Sequence, residues 1–193
     1  MGTATVSVEQ LITYRHLITL PDGLRVLLRP LVPRDRDALL ALFASLPAEE
    51  LQFFRSNVAD STLVASWADD VNYARVFPLI AVVGDQLVGN STLHLGKGYT
   101  RHVAEIRIFL AKEFRRRGIG AAMLKAQIEI ARKLGLHQLV AEIVESQPKV
   151  IHGFERLGFE RQCVLRDQFM TADGETMDLV VLTRYLRQSS EEF

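Results

Sequence analysis

With 193 residues, 48% of them hydrophobic, and 23 basic residues balancing 23 acidic ones, the chain has zero net charge and enough apolar material for one packed core. That balance argues against a general nucleic-acid binder, which carries a basic excess or stripe. A single cysteine, Cys163, excludes an internal disulfide framework and suits a reducing cytoplasm, and no apolar run approaches the roughly 20 residues of a membrane-spanning helix.

Residues 1–20 hold neither a secretory signal core nor a myristoylation match and read as a tail or extension. Residues 21–187 read as a single domain and 188–193 as a short polar tail. The domain opens with a strand, Leu24 to Arg29, and a helical run from Asp35 to Leu46. Phe53, Phe54 and Trp67 follow in a helical region, where core packing is their expected role. An apolar hairpin spans Phe77 to His94 and turns near Gly84-Asp85. His94 and His102 flank the Gly96-Lys97-Gly98 loop. Val103 to Leu110 then alternates as a strand does, with Glu105, Arg107 and Phe109 on one face and Ala104, Ile106, Ile108 and Leu110 on the other. Ile119, Met123, Ala126, Ile130 and Leu134 recur at helical spacing before Gly135. A strand at Gln138 to Val144 and a helix ending in Phe154-Glu155-Arg156-Leu157-Gly158-Phe159 come next. Asp173-Gly174 marks a turn between two final strand-like segments. The five histidines show no paired spacing with cysteine or carboxylate neighbours, so no metal is expected.

The most informative stretch is Arg115-Arg116-Arg117-Gly118-Ile119-Gly120, a basic, glycine-containing turn between a strand and a helix N-terminus. The first amides of a helix lack internal partners and carry partial positive charge, and glycine lets a phosphate approach them. The turn therefore predicts a nucleotide-like anion. It is not a Rossmann fingerprint, because Met123 stands where a third glycine or alanine belongs. Nor is it a P-loop, since Gly-Lys-Ser and Gly-Lys-Thr occur nowhere in the chain.

Arg115-x-x-Gly118-x-Gly120 followed by Ala121 resembles the acetyl-CoA signature of the GNAT superfamily of acetyltransferases. The resemblance runs from about Leu24 to Leu186 and includes the Leu157-Gly158-Phe159 ending of the fourth helix. It implies an α/β fold with a mixed, mainly antiparallel seven-stranded sheet, helices on both faces, and the fourth and fifth strands (103–110 and 138–144) splayed to admit acetyl-CoA. Backbone groups near Phe109 and Leu110 would pair with the pantetheine arm. Amides of Arg116, Arg117, Gly118, Ile119, Gly120 and Ala121 would hold the pyrophosphate, with at least one of Arg115, Arg116 and Arg117 adding charge. A backbone amide near Leu110 would stabilise the oxyanion.

The implied function is direct transfer of an acetyl group to a primary amine, either a small molecule or a protein lysine. Leu28-Arg29-Pro30-Leu31 and Ser45-Leu46-Pro47 resemble the bacterial protein-lysine acetyltransferase branch. Glu105 matches the family's catalytic glutamate and would take the amine's proton, although Arg107 on the same face is placed to pair with it and lower its basicity. Phe154 stands where many members carry a general-acid tyrosine, and Gln147 stands in place of an asparagine and could bind the cofactor through its amide. His152 and Cys163 lie nearby in sequence as weaker proton donors. A homodimer is compatible with the family, and neither a nucleic-acid nor a membrane partner is expected. The competing expectation is a non-catalytic acyl-CoA-binding regulatory or interaction module, which the missing tyrosine favours.

Overall fold

A computed structural model describes residues 7–171 and 173–186. In chain order the elements are helix α1 (Val8–Leu11), strands β1 (His16–Thr19) and β2 (Arg25–Pro30), helices α2 (Arg36–Ala44), α3 (Ala48–Leu51) and α4 (Ser61–Asp69), and strands β3 (Val76–Val83), β4 (Gln86–Leu95) and β5 (Val103–Leu110). Then follow α5 (Ile119–Lys133), β6 (Gln138–Val144), α6 (Pro148–Glu155), β7 (Glu160–Met170) and β8 (Thr176–Tyr185).

The strands form one open sheet in the order β1-β2-β3-β4-β5-β6-β8-β7, and every neighbouring pair is antiparallel except β5 and β6. A parallel pair needs a long crossover, which α5 supplies. The sheet has eight strands where seven were expected, because residues 16–19 pair with β2 from His16↔Leu28 to Thr19↔Arg25. This segment lies within residues 1–20, which the sequence reads as a tail or extension. Its four residues are mostly exposed, so no alternation of buried and exposed positions distinguishes it from loop. The expected tail at 188–193 lies outside the described residues.

The central strands are covered on both faces, which is why they read as near-continuous apolar runs. On β3, Phe77, Leu79 and Ala81 join one core cluster and Ile80 joins the other. The first cluster takes Ala104, Ile106 and Leu139 from the sheet and is closed by Ile119, Met123, Ala126 and Ile130 of α5, with Ile151 and Phe154 of α6. The second packs Leu39, Leu42 and Phe43 of α2 with Val64 and Ala68 of α4. The two-residue turn between Val83 and Gln86 puts Gly84, at φ 57°, in its first central position, where a side chain would be strained.

Candidate active site

The ladder between β5 and β6 covers only Val103↔Gln138, Ala104↔Leu139 and Glu105↔Val140. Both strands run on beyond it: β5 stays paired with β4 as far as Gly89↔Leu110, and β6 stays paired with β8 as far as Val144↔Leu179. Along β4–β5 the bonded pairs include Val103 with Gly96 and Ala111 with Val88. By alternation Phe109 spends its backbone groups on Asn90, whereas Ile108 and Leu110 present theirs on the β6 side. Of the two residues expected to offer backbone to a ligand, Leu110 therefore faces the β6 side and Phe109 faces β4. The Phe109 ring stacks on Phe43 at 5.7 Å and packs against Phe54 at 5.3 Å, tying β5 to the helices above it. Trp67 joins the same cluster through Phe43 at 5.5 Å, while Phe53 is partly buried.

The basic turn lies next to the unpaired half of β5, since a Cβ added to Gly120 would stand 3.8 Å from Ile108 Cδ1. Gly118 is the N-cap of α5 at φ 93°, a left-handed conformation that glycine alone adopts without strain, and no side chain caps the helix. The first internal bond runs from the Ala122 amide to the Gly118 carbonyl, so the amides of Ile119, Gly120 and Ala121 have no acceptor among the described residues. Open amides and a helix dipole give this end the donors and partial positive charge that suit an anion.

The three arginines of the turn differ in their commitments. Arg115 donates from Nε to the Leu110 carbonyl at 2.8 Å, forms a bidentate pair with Glu50 of α3 (Nη1–Oε1 2.9 Å), and lies 5.8 Å from the centre of the Phe109 ring. Arg117 pairs with Asp22 in the β1–β2 turn at 2.6 Å. Arg116, exposed and at φ 62°, has no ion-pair partner among the described residues and remains available to an anion.

A charged cluster sits at the end of the β5–β6 ladder. Glu105 accepts two hydrogen bonds from Arg107, at 2.8 Å each. Arg55, in the loop between α3 and α4, hydrogen-bonds Glu142 of β6 through Nη2, and the same nitrogen lies 3.5 Å from Glu105 Oε1. Burial alone would push the Glu105 carboxyl up, but the Arg107 bonds, with the charges of Arg107, Arg55 and His94, outweigh it and hold the group below its ordinary value. His94 is the register partner of Glu105 on β4 and bonds Thr92 Oγ1 at 3.0 Å. Burial first, then the neighbouring Arg107, lowers its pKa to about 4, so it is neutral at physiological pH.

Two of these residues escaped sequence reasoning. Glu142 carried a usable signal, a charge inside the apolar run Leu139 to Val144, but Arg55 stands in irregular loop with no pattern to mark it. Other candidates lie elsewhere. Phe154 is 3% exposed and packs edge-on against Phe159, so it contributes core rather than a proton. Gln147 occupies the N-cap position of α6 just beyond β6, with no capping bond from its side chain. His152 lies on the exposed side of α6 beside Glu155, Cys163 is exposed on β7, and the His102 ring packs against His137. Among the described residues no cluster of His, Cys, Asp or Glu is arranged to hold a metal, and no helix is long and apolar enough to cross a membrane.

Comparison with solved structures identifies the same architecture. The GNAT domain of S. lividans PAT superposes with a TM-score of 0.74 at 18% identity, covering 89% of this chain and 96% of that one. A ribosomal-protein-alanine N-acetyltransferase from Brucella melitensis gives 0.71 at 26% identity over 82% and 98% of the two chains. The yncA protein of Salmonella typhimurium, solved with its cofactor acetyl-CoA, gives 0.71 at 16% identity over 86% and 96%. No curated protein matches in sequence. Residues 43–159, more than half the chain and including the whole turn and both strands of the interrupted ladder, match the Acetyltransferase (GNAT) family. The chain belongs to the GNAT family of acetyltransferases, which take acetyl-CoA as co-substrate.

Proposed function

We propose that the protein moves the acetyl group of acetyl-CoA to a primary amine, a small molecule or a protein lysine, across the break in the β5–β6 ladder. The observation that carries this reading is the uncapped α5 N-terminus, with its three open amides and left-handed Gly118, set against the half of β5 that has lost β6 as a partner. These groups fit a CoA pyrophosphate: open N–H donors, an available Arg116, and no side chain at Gly118 or Gly120 to crowd it. Ile108 and Leu110 would offer backbone groups to the pantetheine amides. Arg115 would act at second hand, holding Leu110 and the turn together. Gln147 would meet the cofactor from the α6 side.

When bound, the co-substrate supplies an acetyl thioester: a C–N bond forms at its carbonyl carbon, the C–S bond breaks, CoA leaves as the thiol, and one proton is released. Glu105 would hold the incoming amine and accept its proton, directly or through water. Its depressed pKa makes it a firm anchor for a cation and a weak base, which favours the water route. No tyrosine donor is required for the sulfur, because a thiolate is a reasonable leaving group near neutral pH.

The test combines acetyl-CoA-dependent thiol release, against polyamines, aminoglycosides, amino acids and lysine peptides, with a thermal-shift titration of acetyl-CoA. Release with one acceptor class is the expected result. A shift without release from any amine supports instead a CoA-binding module, the reading that the double arginine hold on Glu105 favours. Gly120→Trp should abolish the acetyl-CoA shift by filling the turn, and retained affinity would discredit the assignment of the pyrophosphate site.

A further inference from the structure

The Arg55 guanidinium sits where two carboxylates from different strands converge, and one of its nitrogens serves both. Nη2 bonds Glu142 Oε2 and lies 3.5 Å from Glu105 Oε1. Glu105 belongs to β5 and Glu142 to β6, two residues beyond the last ladder pair, Glu105↔Val140. Arg55 thus spans the strands just where their pairing ends. We propose that the acceptor is an alkylammonium whose nitrogen takes the place of Arg55 Nη2 between Glu105 and Glu142, making Arg55 a displaceable internal competitor of the substrate. This rests on the acetyl-transfer reading above.

Charge supports the exchange. Arg55, Arg107, Glu105 and Glu142 sum to zero, and His94 facing them is neutral. Arg107 is held to Glu105 through two bonds, but Glu142 has Arg55 as its sole ion-pair partner among the described residues. Withdrawing Arg55 leaves Glu142 without a counter-charge beside the candidate base, which favours a cation in its place. An alkylammonium does so with three donors on one atom, enough for both carboxylates.

Mobility supports it too. The Arg55 backbone makes no hydrogen bond among the described residues, while Phe54 and Val58 on either side are anchored in the second core cluster. Release therefore needs a change of side-chain rotamer, not movement of the loop. The three side chains are between about one-fifth and one-third exposed, so solvent can take up the freed guanidinium.

The test is calorimetric titration with 1,5-diaminopentane, its neutral counterpart 1,5-pentanediol, and a lysine peptide blocked at its α-amine, on the free and the CoA-loaded protein. Arg55→Gln should bind the diamine or the peptide about two- to fivefold more tightly than wild type, the gain expected for removing a partly exposed competing ion pair. The diol should show no change. Arg55→Lys should restore wild-type affinity, Glu142→Gln should weaken ammonium binding about fivefold, and the gain from Arg55→Gln should vanish in the double variant. The diamine and peptide arms separate a small amine from a protein lysine. Equal or weaker ammonium binding by Arg55→Gln, or an equal gain for the diol, overturns the proposal. The titration on free protein does not depend on CoA, so loss of acetyl-CoA binding would count separately, against the acetyl-transfer reading.

Discussion

Glu105 shows how a residue's neighbours decide its chemistry. The family resemblance puts it forward as the base, yet Arg107 holds both its oxygens and Arg55 reaches one of them, so its carboxyl is held below the ordinary glutamate value. A carboxylate of that kind binds a cation strongly and takes a proton reluctantly. Glu105→Gln should lower the rate of acetyl transfer by about 10²-fold or more, with acetyl-CoA affinity nearly unchanged, as read by steady-state thiol release and a parallel binding titration. Unaltered transfer across the pH range would remove Glu105 from the mechanism. Both Glu105 and Arg107 were visible as same-face neighbours in the alternation of Val103 to Leu110, and their pairing followed from that spacing. Arg55 and Glu142 complete the cluster only because the chain brings a loop and a second strand to the same point.

At the scale of elements, the site is built where a helix begins and a ladder ends. The α5 N-terminus owes its open amides to Gly118, whose φ of 93° turns the chain from the basic loop into the helix without a capping side chain. Gly118→Ala should cost about 1–2 kcal/mol, the price of a left-handed conformation for a residue with a Cβ, measured as a fall in the urea midpoint at constant slope. Gly89 answers a different need. A Cβ there would stand 2.8 Å from Leu110 Cδ1, 3.0 Å from Met123 Sδ and 3.2 Å from the Phe109 carbonyl oxygen, so a side chain would crowd the meeting of β4, β5 and α5 and push Leu110 and Met123 aside. Gly89→Ala should cost about 1–3 kcal/mol in urea unfolding and weaken acetyl-CoA binding by displacing Leu110. The signature turn was legible because its glycines and arginines are local in sequence. The need for Gly89 was not, since its contacts come from residues twenty and more positions away.

Across the whole molecule, burial of the charged cluster couples the site to stability. His94 titrates at about 4 when folded and near 6.5 when unfolded, so between these values the unfolded chain binds the extra proton. Stability is complete above pH 6.5 and declines as pH falls toward 4, by about 2 kcal/mol once solvent screening is allowed for. Glu105, with its folded value depressed, adds a further loss at still lower pH. Urea midpoints at pH 7 and pH 5 should differ accordingly, and His94→Gln should flatten that difference. A slope that the substitution leaves intact would place the titration elsewhere.

The sequence by itself determined the order of elements from β2 to β8, the basic glycine turn at the head of α5 and the family, because periodicity, turn residues and a hexapeptide signature are written in neighbouring positions. Only the tertiary structure decided that residues 16–19 form an edge strand, that Arg115 and Arg117 are already spent on Glu50 and Asp22, and that Arg55 and Glu142 stand with Glu105. Those facts depend on partners up to 95 residues apart along the chain, as for Asp22 and Arg117. Such pairings follow from how the sheet and its covering helices pack, and no local pattern records them.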